Sequence, residues 1–313
     1  MDDMIMQKAK ERVRAYRVQF NLLTILSALI ALVPTCWVVF VMRDHFWLIL
    51  VSCLLYLFLR RIIAFRLYNK FIMAPLIHEM DPTLYRAILL EAKCAAYPGV
   101  DHMFAAYYHG EYQTVIDLCA NKMADPKCQR FTLFYLLELA STYFELNDMA
   151  ALRRTLDRYD AYLATRKDGD ALRQKYQSMQ YYRAYADGDY AACRVIIEPL
   201  IRKGDLLLYH VEFSFLHALA CYRLGDLTAA QSSFAFVVQN APKLHFCTIA
   251  QKYLDAMERG EDYCAEVTAL TPDPAYQPLS FPARRRTRRV LYILLGIELV
   301  LLLFIVLLRS FLG

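Results

Sequence analysis

A short turn motif recurs through the middle of this chain of 313 residues, and it constrains the fold more than any other feature. The turn residues lie 35 to 41 positions apart, at Gly110, Asn147, Gly188, Gly225 and Gly260. Each turn follows a helical pattern with aromatic residues and alanines, and each opens a second helical pattern. A period of this length with small or polar turn residues is typical of stacked helix pairs. The sequence therefore predicts an all-α fold built as an α-solenoid.

The unit around Gly225 resembles the tetratricopeptide repeat (TPR) family most clearly. Small, turn, aliphatic, aromatic and breaker residues stand where the TPR pattern has them, at Ala218, Gly225, Leu227, Ala230, Phe234 and Pro242. The unit at 131–160 matches part of the pattern, through Leu139, Ala140, Tyr143 and Leu146. The unit ending at Gly188 departs from it, because Tyr181 stands where a small residue is expected. The resemblance covers about 100–268 and implies a TPR-like solenoid without implying a particular function.

Three apolar segments lie outside the repeats and predict a membrane anchor at each end of the chain. The segment 22–42 has 21 residues and no charge, which is enough for the ~20 residues that span a bilayer. The segment 46–59 has only 14 residues, so it is either a thin span or a re-entrant helix. Together these two predict a helical hairpin over 22–66. The segment 290–308 has 19 residues with one acid, and it predicts a C-terminal transmembrane helix over 290–313.

Basic residues flank the apolar segments and predict their orientation. The three clusters are Lys8, Lys10, Arg12, Arg14 and Arg17; Arg60, Arg61, Arg66 and Lys70; and Arg284, Arg285, Arg286, Arg288 and Arg289. If the hairpin returns, all three fall on one side, which the positive-inside rule makes cytoplasmic. The sequence thus predicts an integral protein of a bacterial inner membrane with a cytoplasmic repeat domain, similar to membrane-anchored bacterial members of the TPR family.

The same observations divide the chain into five parts. A basic tail over 1–21 precedes the hairpin, and the repeat domain covers 67–268. Asp81 and Pro82 are placed as the N-cap and the first residue of a helix near the start of that domain. A linker over 269–289, rich first in proline and then in arginine, leads to the last segment.

Glu298 is the acid within the last apolar segment, and such a residue is by default a functional candidate. Ser27 and Ser52 lie at a similar depth in the predicted hairpin. A neutral Glu298 that hydrogen-bonds to these hydroxyls would hold three helices together in the membrane. The alternatives are handling of protons or ions and a contact with another protein.

The sequence contains no motif of an enzyme, metal site or cofactor site. The patterns GxxxxGK[ST], GxGxxG, GxSxG and HExxH do not occur. Nine cysteines occur without a CxxC pair, which favours structural thiols over zinc ligands. Basic residues in the middle of the chain are matched by acids, so no nucleic-acid partner is predicted. We therefore predict no catalytic residue, no metal and no cofactor, and we do not expect an enzyme.

Six aromatic residues form the candidate partner site. In the register that the TPR resemblance implies, they face the concave groove: Tyr107, Phe144, Tyr182, Tyr185, Phe215 and Tyr222. They either line a groove for a peptide or an apolar helix, or they pack between adjacent helices. The favoured interpretation is an anchored adaptor or scaffold whose partners are a protein or peptide and membrane lipids. The alternatives are an accessory subunit of a membrane enzyme or transporter that uses Glu298, and a lipid-binding module.

Overall fold

The computed structural model describes residues 3–41, 47–92, 100–125, 128, 131–203 and 206–263. Helices account for nearly all of these residues, and no strand occurs among them, which confirms the all-α class. A π-helical stretch, Asn69–Met73, continues the second helix. In chain order the helices are α1 (Asp3–Val41), α2 (Trp47–Tyr68), α3 (Ala74–Ile77), α4 (Pro82–Ala92), α5 (Val100–His109), α6 (Tyr112–Ala124), α7 (Thr132–Glu145), α8 (Met149–Ala164), α9 (Gly169–Lys175), α10 (Gln177–Ala186), α11 (Tyr190–Lys203), α12 (Leu207–Arg223), α13 (Leu227–Asn240) and α14 (His245–Arg259).

All five predicted turn residues adopt the left-handed conformation, with φ between 53° and 87°. Glycine reaches this region without a steric penalty, and asparagine tolerates it better than most residues. After each one, the next backbone N–H donates to a carbonyl five residues back, as from Asp226 to Cys221 at 3.0 Å. This bond closes the C-terminal end of the preceding helix. The sequence motif therefore encodes the end of α5, α7, α10, α12 and α14.

The residue after three of these turns begins the next helix. Asp148, Asp189 and Asp226 each accept a hydrogen bond from the backbone N–H three residues later, at 2.9 to 3.2 Å. This is the N-cap arrangement that satisfies an unpaired amide at a helix start. The predicted cap at the start of α4 is confirmed as well, because Asp81 accepts from Leu84 N–H at 2.8 Å. Local sequence thus sets both the end of one helix and the start of the next.

Helices that follow one another along the chain contact each other without a break from α3 to α14. Helices far apart in the chain contact each other as well, since α14 contacts α5 and α12 contacts α3. Lys243 Nζ lies 2.5 Å from Asp81 Oδ2. The ring of Phe246 on α14 lies edge-on to the rings of Tyr107 and Tyr108, each at 5.9 Å. The C-terminal helices therefore pack against the N-terminal ones.

The first two helices form a hairpin whose base packs on the rest of the molecule. Ala9 and Val13 are buried, and α1 contacts α4. Arg12 pairs with Glu79 at 2.5 Å. Farther along, large apolar side chains such as Leu22 and Phe58 are about three-fifths exposed, at 62% and 61%.

The prediction of an integral membrane protein is wrong. Among the described residues, we find no helix that combines the length and the apolarity needed for a membrane crossing. The first half of α1 is charged and packs on protein, and α2 carries the Arg60, Arg61 and Arg66 side chains. The predicted bacterial inner-membrane location and the predicted cytoplasmic side of the repeat domain depended on a membrane crossing, so they lose their support as well.

Several predictions on the C-terminal part concern residues that lie outside the described ones. These are the linker over 269–289, the segment 290–313 and Glu298. Ser27 is buried, and its hydroxyl donates to the Thr24 carbonyl at 2.9 Å, while Ser52 is 9% exposed. The accessory-subunit role for Glu298 and the lipid-binding alternative stay predictions.

Candidate functional site

The six aromatic residues that were predicted to line a groove lie mostly in the interior. All except Tyr185 are buried, and Tyr185 is partly exposed. The structure brings three of them together, because the Phe144 ring lies 4.9 Å from the rings of both Tyr182 and Tyr185. Their partner-binding role stays a prediction, and their observed neighbours are other rings of the protein.

The remaining three aromatics, Tyr107, Phe215 and Tyr222, contact rings of α14. Phe246 stacks on Phe215 at 5.4 Å and lies edge-on to Tyr107 at 5.9 Å. Tyr222 lies farther along, where its hydroxyl donates to Asp262 Oδ1 at 3.0 Å and accepts from the Tyr263 N–H at 2.8 Å. The aromatic side chains therefore fill most of the inner surface that the TPR register assigned to a partner.

Three carboxylates that the sequence reading missed share this inner region. Glu138 and Glu145 stand seven residues apart on α7, which puts them on one face and about 10 Å apart along the axis. Glu212 on α12 is close enough to act electrostatically on both. Glu145 is buried, at 5% exposure, and Glu138 and Glu212 are partly buried. We call these three residues the inner carboxylate cluster.

Burial keeps protons on the inner carboxylate cluster. Burial, followed by the charge of Glu212, raises the pKa of Glu138 and of Glu145 to about 8 in each case. It also raises the pKa of Glu212 to about 7, against the lowering effect of a hydrogen bond from the Tyr108 hydroxyl at 3.3 Å. No salt bridge in the described part of the chain involves any of the three. The cluster is therefore desolvated and lacks a cationic partner.

Tyrosine hydroxyls surround the cluster. Tyr182 donates to the Ser141 hydroxyl at 3.2 Å, one helical turn from both Glu138 and Glu145. The Tyr112 hydroxyl is fully buried and has no hydrogen-bond partner in the described part of the chain. Burial raises the pKa of Tyr112 and of Tyr182 well above the usual value, with Glu145 adding to both. These groups are therefore neutral hydrogen-bond donors near neutral pH.

A cavity of about 40 Å³ adjoins Glu145, between α7, α10, α12 and α14. Its wall combines the carboxylate with the Asn147 amide, the Arg223 guanidinium and apolar or aromatic side chains, among them Phe144, Tyr185, Leu219 and Tyr253. The volume exceeds the 10–15 Å³ or so that one water molecule requires. Tyr185 and Arg223 are both partly exposed, so two residues of the wall also reach the surface.

Two other places in the described structure bring polar or reactive side chains together. His217 lies 3.5 Å from the Cys221 thiol and 2.9 Å from the Ser233 hydroxyl. However, Cys221 is buried, and burial raises its pKa, which is the opposite of what a reactive thiol needs. A larger cleft of about 610 Å³ lies between α1, the turn before α4 and Lys243, where Arg12–Glu79 and Lys243–Asp81 already pair its charges.

One feature of the sequence could have indicated the inner carboxylate cluster. The helix α7 is otherwise apolar, so two glutamates seven residues apart on it stand out. Among the described residues, no group of three or more histidine, cysteine, aspartate or glutamate side chains could hold a metal ion. Comparisons of this chain with protein-family models, with curated proteins and with solved structures found no match. The likeness to the TPR family therefore stays a resemblance of sequence pattern, and the function is inferred from the inner carboxylate cluster and its surroundings.

Proposed function

We propose that this protein is an adaptor or scaffold with a TPR-like α-solenoid that binds a protein or peptide partner. The observation that carries the proposal is the repeated turn, which ends one helix with a left-handed residue and, at three of the five places, is followed by an aspartate that caps the next helix. This unit recurs every 35 to 41 residues, from Gly110 to Gly260. Repeats of this kind bury a shared core and leave one face of the stack for recognition.

The inner face beside Glu145 is the part of this stack that best suits a partner. The aromatic side chains fill the face elsewhere, but the cavity between α7, α10, α12 and α14 is open enough to admit a small group. It combines aromatic rings with a desolvated carboxylate, and such a mixture of apolar surface and a few polar groups is typical of binding sites. A side chain of a bound polypeptide would fit this cavity better than a whole helix would.

The experiment places a photo-crosslinking amino acid on each side of the stack. We would introduce p-benzoylphenylalanine at Tyr185, which lines the cavity and is already aromatic. The control has the same residue at Val195, which is 71% exposed on α11. Irradiation of cells of the source organism and mass spectrometry of the adducts should identify the same partner peptide from Tyr185 in repeated experiments, and should not find it from Val195. Equal labelling from both positions, or none from Tyr185, would remove the support for the proposal.

A further inference from the structure

We infer that the inner carboxylate cluster and the cavity beside Glu145 form a binding site for an organic ammonium group. Two sources have this chemistry: a lysine side chain of a bound polypeptide, or a free alkyl amine. The first source rests on the proposed function, since it needs a polypeptide partner at the inner face. The second source does not depend on it.

The first argument is the uncompensated burial of acids. Removing a carboxylate from water is costly unless a cation or several hydrogen bonds replace the solvent. In the described part of the chain, Glu145 takes part in no salt bridge, and the Arg223 guanidinium on the same cavity wall leaves the pKa of Glu145 raised. A positive group that entered the cavity would supply the missing interaction for Glu145 and reduce its repulsion with Glu212.

The second argument is independent of the carboxylates. The Tyr112 hydroxyl is fully buried, yet nothing in the described part of the chain accepts or donates a hydrogen bond there. A buried polar group without a partner costs about 1–3 kcal/mol, so such groups are rare in folded proteins. Glu145 and Tyr182 both act electrostatically on Tyr112, so its hydroxyl lies in the same region of the interior as the cluster. A bound ligand at the cluster would give it a partner.

The geometry favours an ammonium group over a metal ion or a guanidinium. One metal ion would need its oxygen ligands within about 2–2.6 Å, whereas Glu138 and Glu145 are about 10 Å apart along α7. An ammonium group is compact and carries three donors, which suits a cavity of about 40 Å³ better than a planar guanidinium with five donors. The rings of Phe144, Tyr185 and Tyr253 on the cavity wall add the aromatic surface that attracts organic cations.

The test is isothermal titration calorimetry on the full chain at pH 7.5, with two probes. The free amine is 1,5-diaminopentane, and the peptide is acetyl-Ala-Ala-Lys-Ala-Ala-amide, with norleucine in place of lysine as its matched control. We expect at least one amine probe to saturate a single site, and Glu145→Gln to weaken its affinity about 10-fold or more. Glu258→Gln makes the same substitution at an exposed position of α14, and we expect no change in amine affinity from it.

A second variant guards against misfolding. Tyr112→Phe removes only a hydroxyl that bonds to nothing in the described part of the chain, so its unfolding temperature should be no lower than that of the wild type while its amine affinity falls. The inference is overturned if neither amine binds, if norleucine binds as well as lysine, or if Glu258→Gln weakens binding as much as Glu145→Gln does. If neither amine binds but a partner is crosslinked at Tyr185, the inference is overturned and the proposed function is unaffected. Binding of the free amine without the lysine peptide would keep the site and assign it to a free amine.

Discussion

Two buried acids of this molecule, Glu111 and Glu145, differ in whether a cation of the described residues pairs with them. Glu111, at the turn between α5 and α6, is 1% exposed and pairs with the buried Arg86 guanidinium at 2.5 Å. Glu145, one repeat later, is 5% exposed and takes part in no salt bridge within the described residues. In the first arrangement a guanidinium of the fold lies against Glu111 Oε1, although Glu111 Oε2 has no hydrogen-bond partner among the described residues. In the second, no cation of the described residues pairs with the acid. The difference teaches that burial of an acid becomes informative only when its partners are known.

The largest expected effect is at the paired acid. Arg86→Met should lower the free energy of unfolding by about 3–5 kcal/mol, because it leaves the Glu111 charge buried without its cation. The matched control is Arg166→Met, which breaks the exposed pair with Asp168 and should cost far less. Urea unfolding of both variants measures the two values. Equal losses would mean that Glu111 is not held by this pair, and the comparison would fail.

The turn before Glu111 should be nearly as sensitive. Gly110 has φ of +87°, and a β-carbon there would lie 2.7 Å from the His245 ring. Gly110→Ala should therefore cost about 2–4 kcal/mol, from the positive φ and from the collision with α14. Gly225→Ala shares the positive φ, at +79°, but meets nothing within 4 Å, so it should cost only about 1–2 kcal/mol. Thermal or urea unfolding would show whether the larger loss belongs to Gly110.

The unpaired acid should make stability fall as the pH rises. The pKa of Glu145 is about 8 in the folded chain and near 4.5 when unfolded, so the folded state binds more protons in between. Its stabilising contribution is complete below pH 4.5 and is lost as the pH rises through 8. Glu145→Gln removes this contribution to the pH dependence of stability. At pH 8 we expect the free energy of unfolding of the variant to exceed that of the wild type by about 2 kcal/mol. Urea midpoints at pH 5 and pH 8 measure the change, and parallel profiles for the two proteins would contradict it.

Near the Arg86–Glu111 pair, stability should change with pH in the opposite direction. His102 is buried near Arg86, and burial followed by the Arg86 charge lowers its pKa from 6.5 to about 4. The folded state therefore binds fewer protons than the unfolded state, and stability is lost as the pH falls from 6.5 toward 4. We expect a loss of about 1–2 kcal/mol between pH 7 and pH 5 that His102→Gln abolishes. Only the slope with pH is compared, since the substitution also changes packing.

The smallest expected effect separates hydroxyl from carboxylate within the cluster. Tyr112→Phe should not lower the free energy of unfolding and should raise it by up to about 1 kcal/mol, because it removes a buried hydroxyl that makes no hydrogen bond in the described part of the chain. Tyr182→Phe, by contrast, breaks the bond to Ser141 at 3.2 Å and should cost about 1 kcal/mol. Chemical unfolding of the two variants under one condition is sufficient. A clear loss from Tyr112→Phe would show that its hydroxyl has a partner.

Local signals in the sequence were enough for the helices and their ends. Gly110, Gly188, Gly225 and Gly260 predicted turns, and all four have positive φ. Asp81 was correctly predicted as a cap, because an N-cap depends on side-chain and backbone groups only three residues apart. The membrane prediction failed because it weighed apolar segments without the charged and packed parts of the same helices. One continuous helix, α1, contains both kinds of residue.

The site depended on distances that no local pattern contains. The order of residues placed Glu138 and Glu145 on one face of α7, since a helix repeats every 3.6 residues. It did not show that Glu212, 67 positions after Glu145, would act on both, or that Phe246 of α14 would cover Tyr107 and Phe215.

The sequence by itself determined the helical class, the turn positions and the helix caps, because each of these is fixed by residues within one or two turns. Only the tertiary structure decided which acids are desolvated and which have a cationic partner. Desolvation and pairing depend on neighbours from other helices, and the return of α14 to α5 supplies many of those neighbours. Local chemistry set the helix ends, and the contacts of α14 with α5 decided which side chains surround the inner carboxylate cluster.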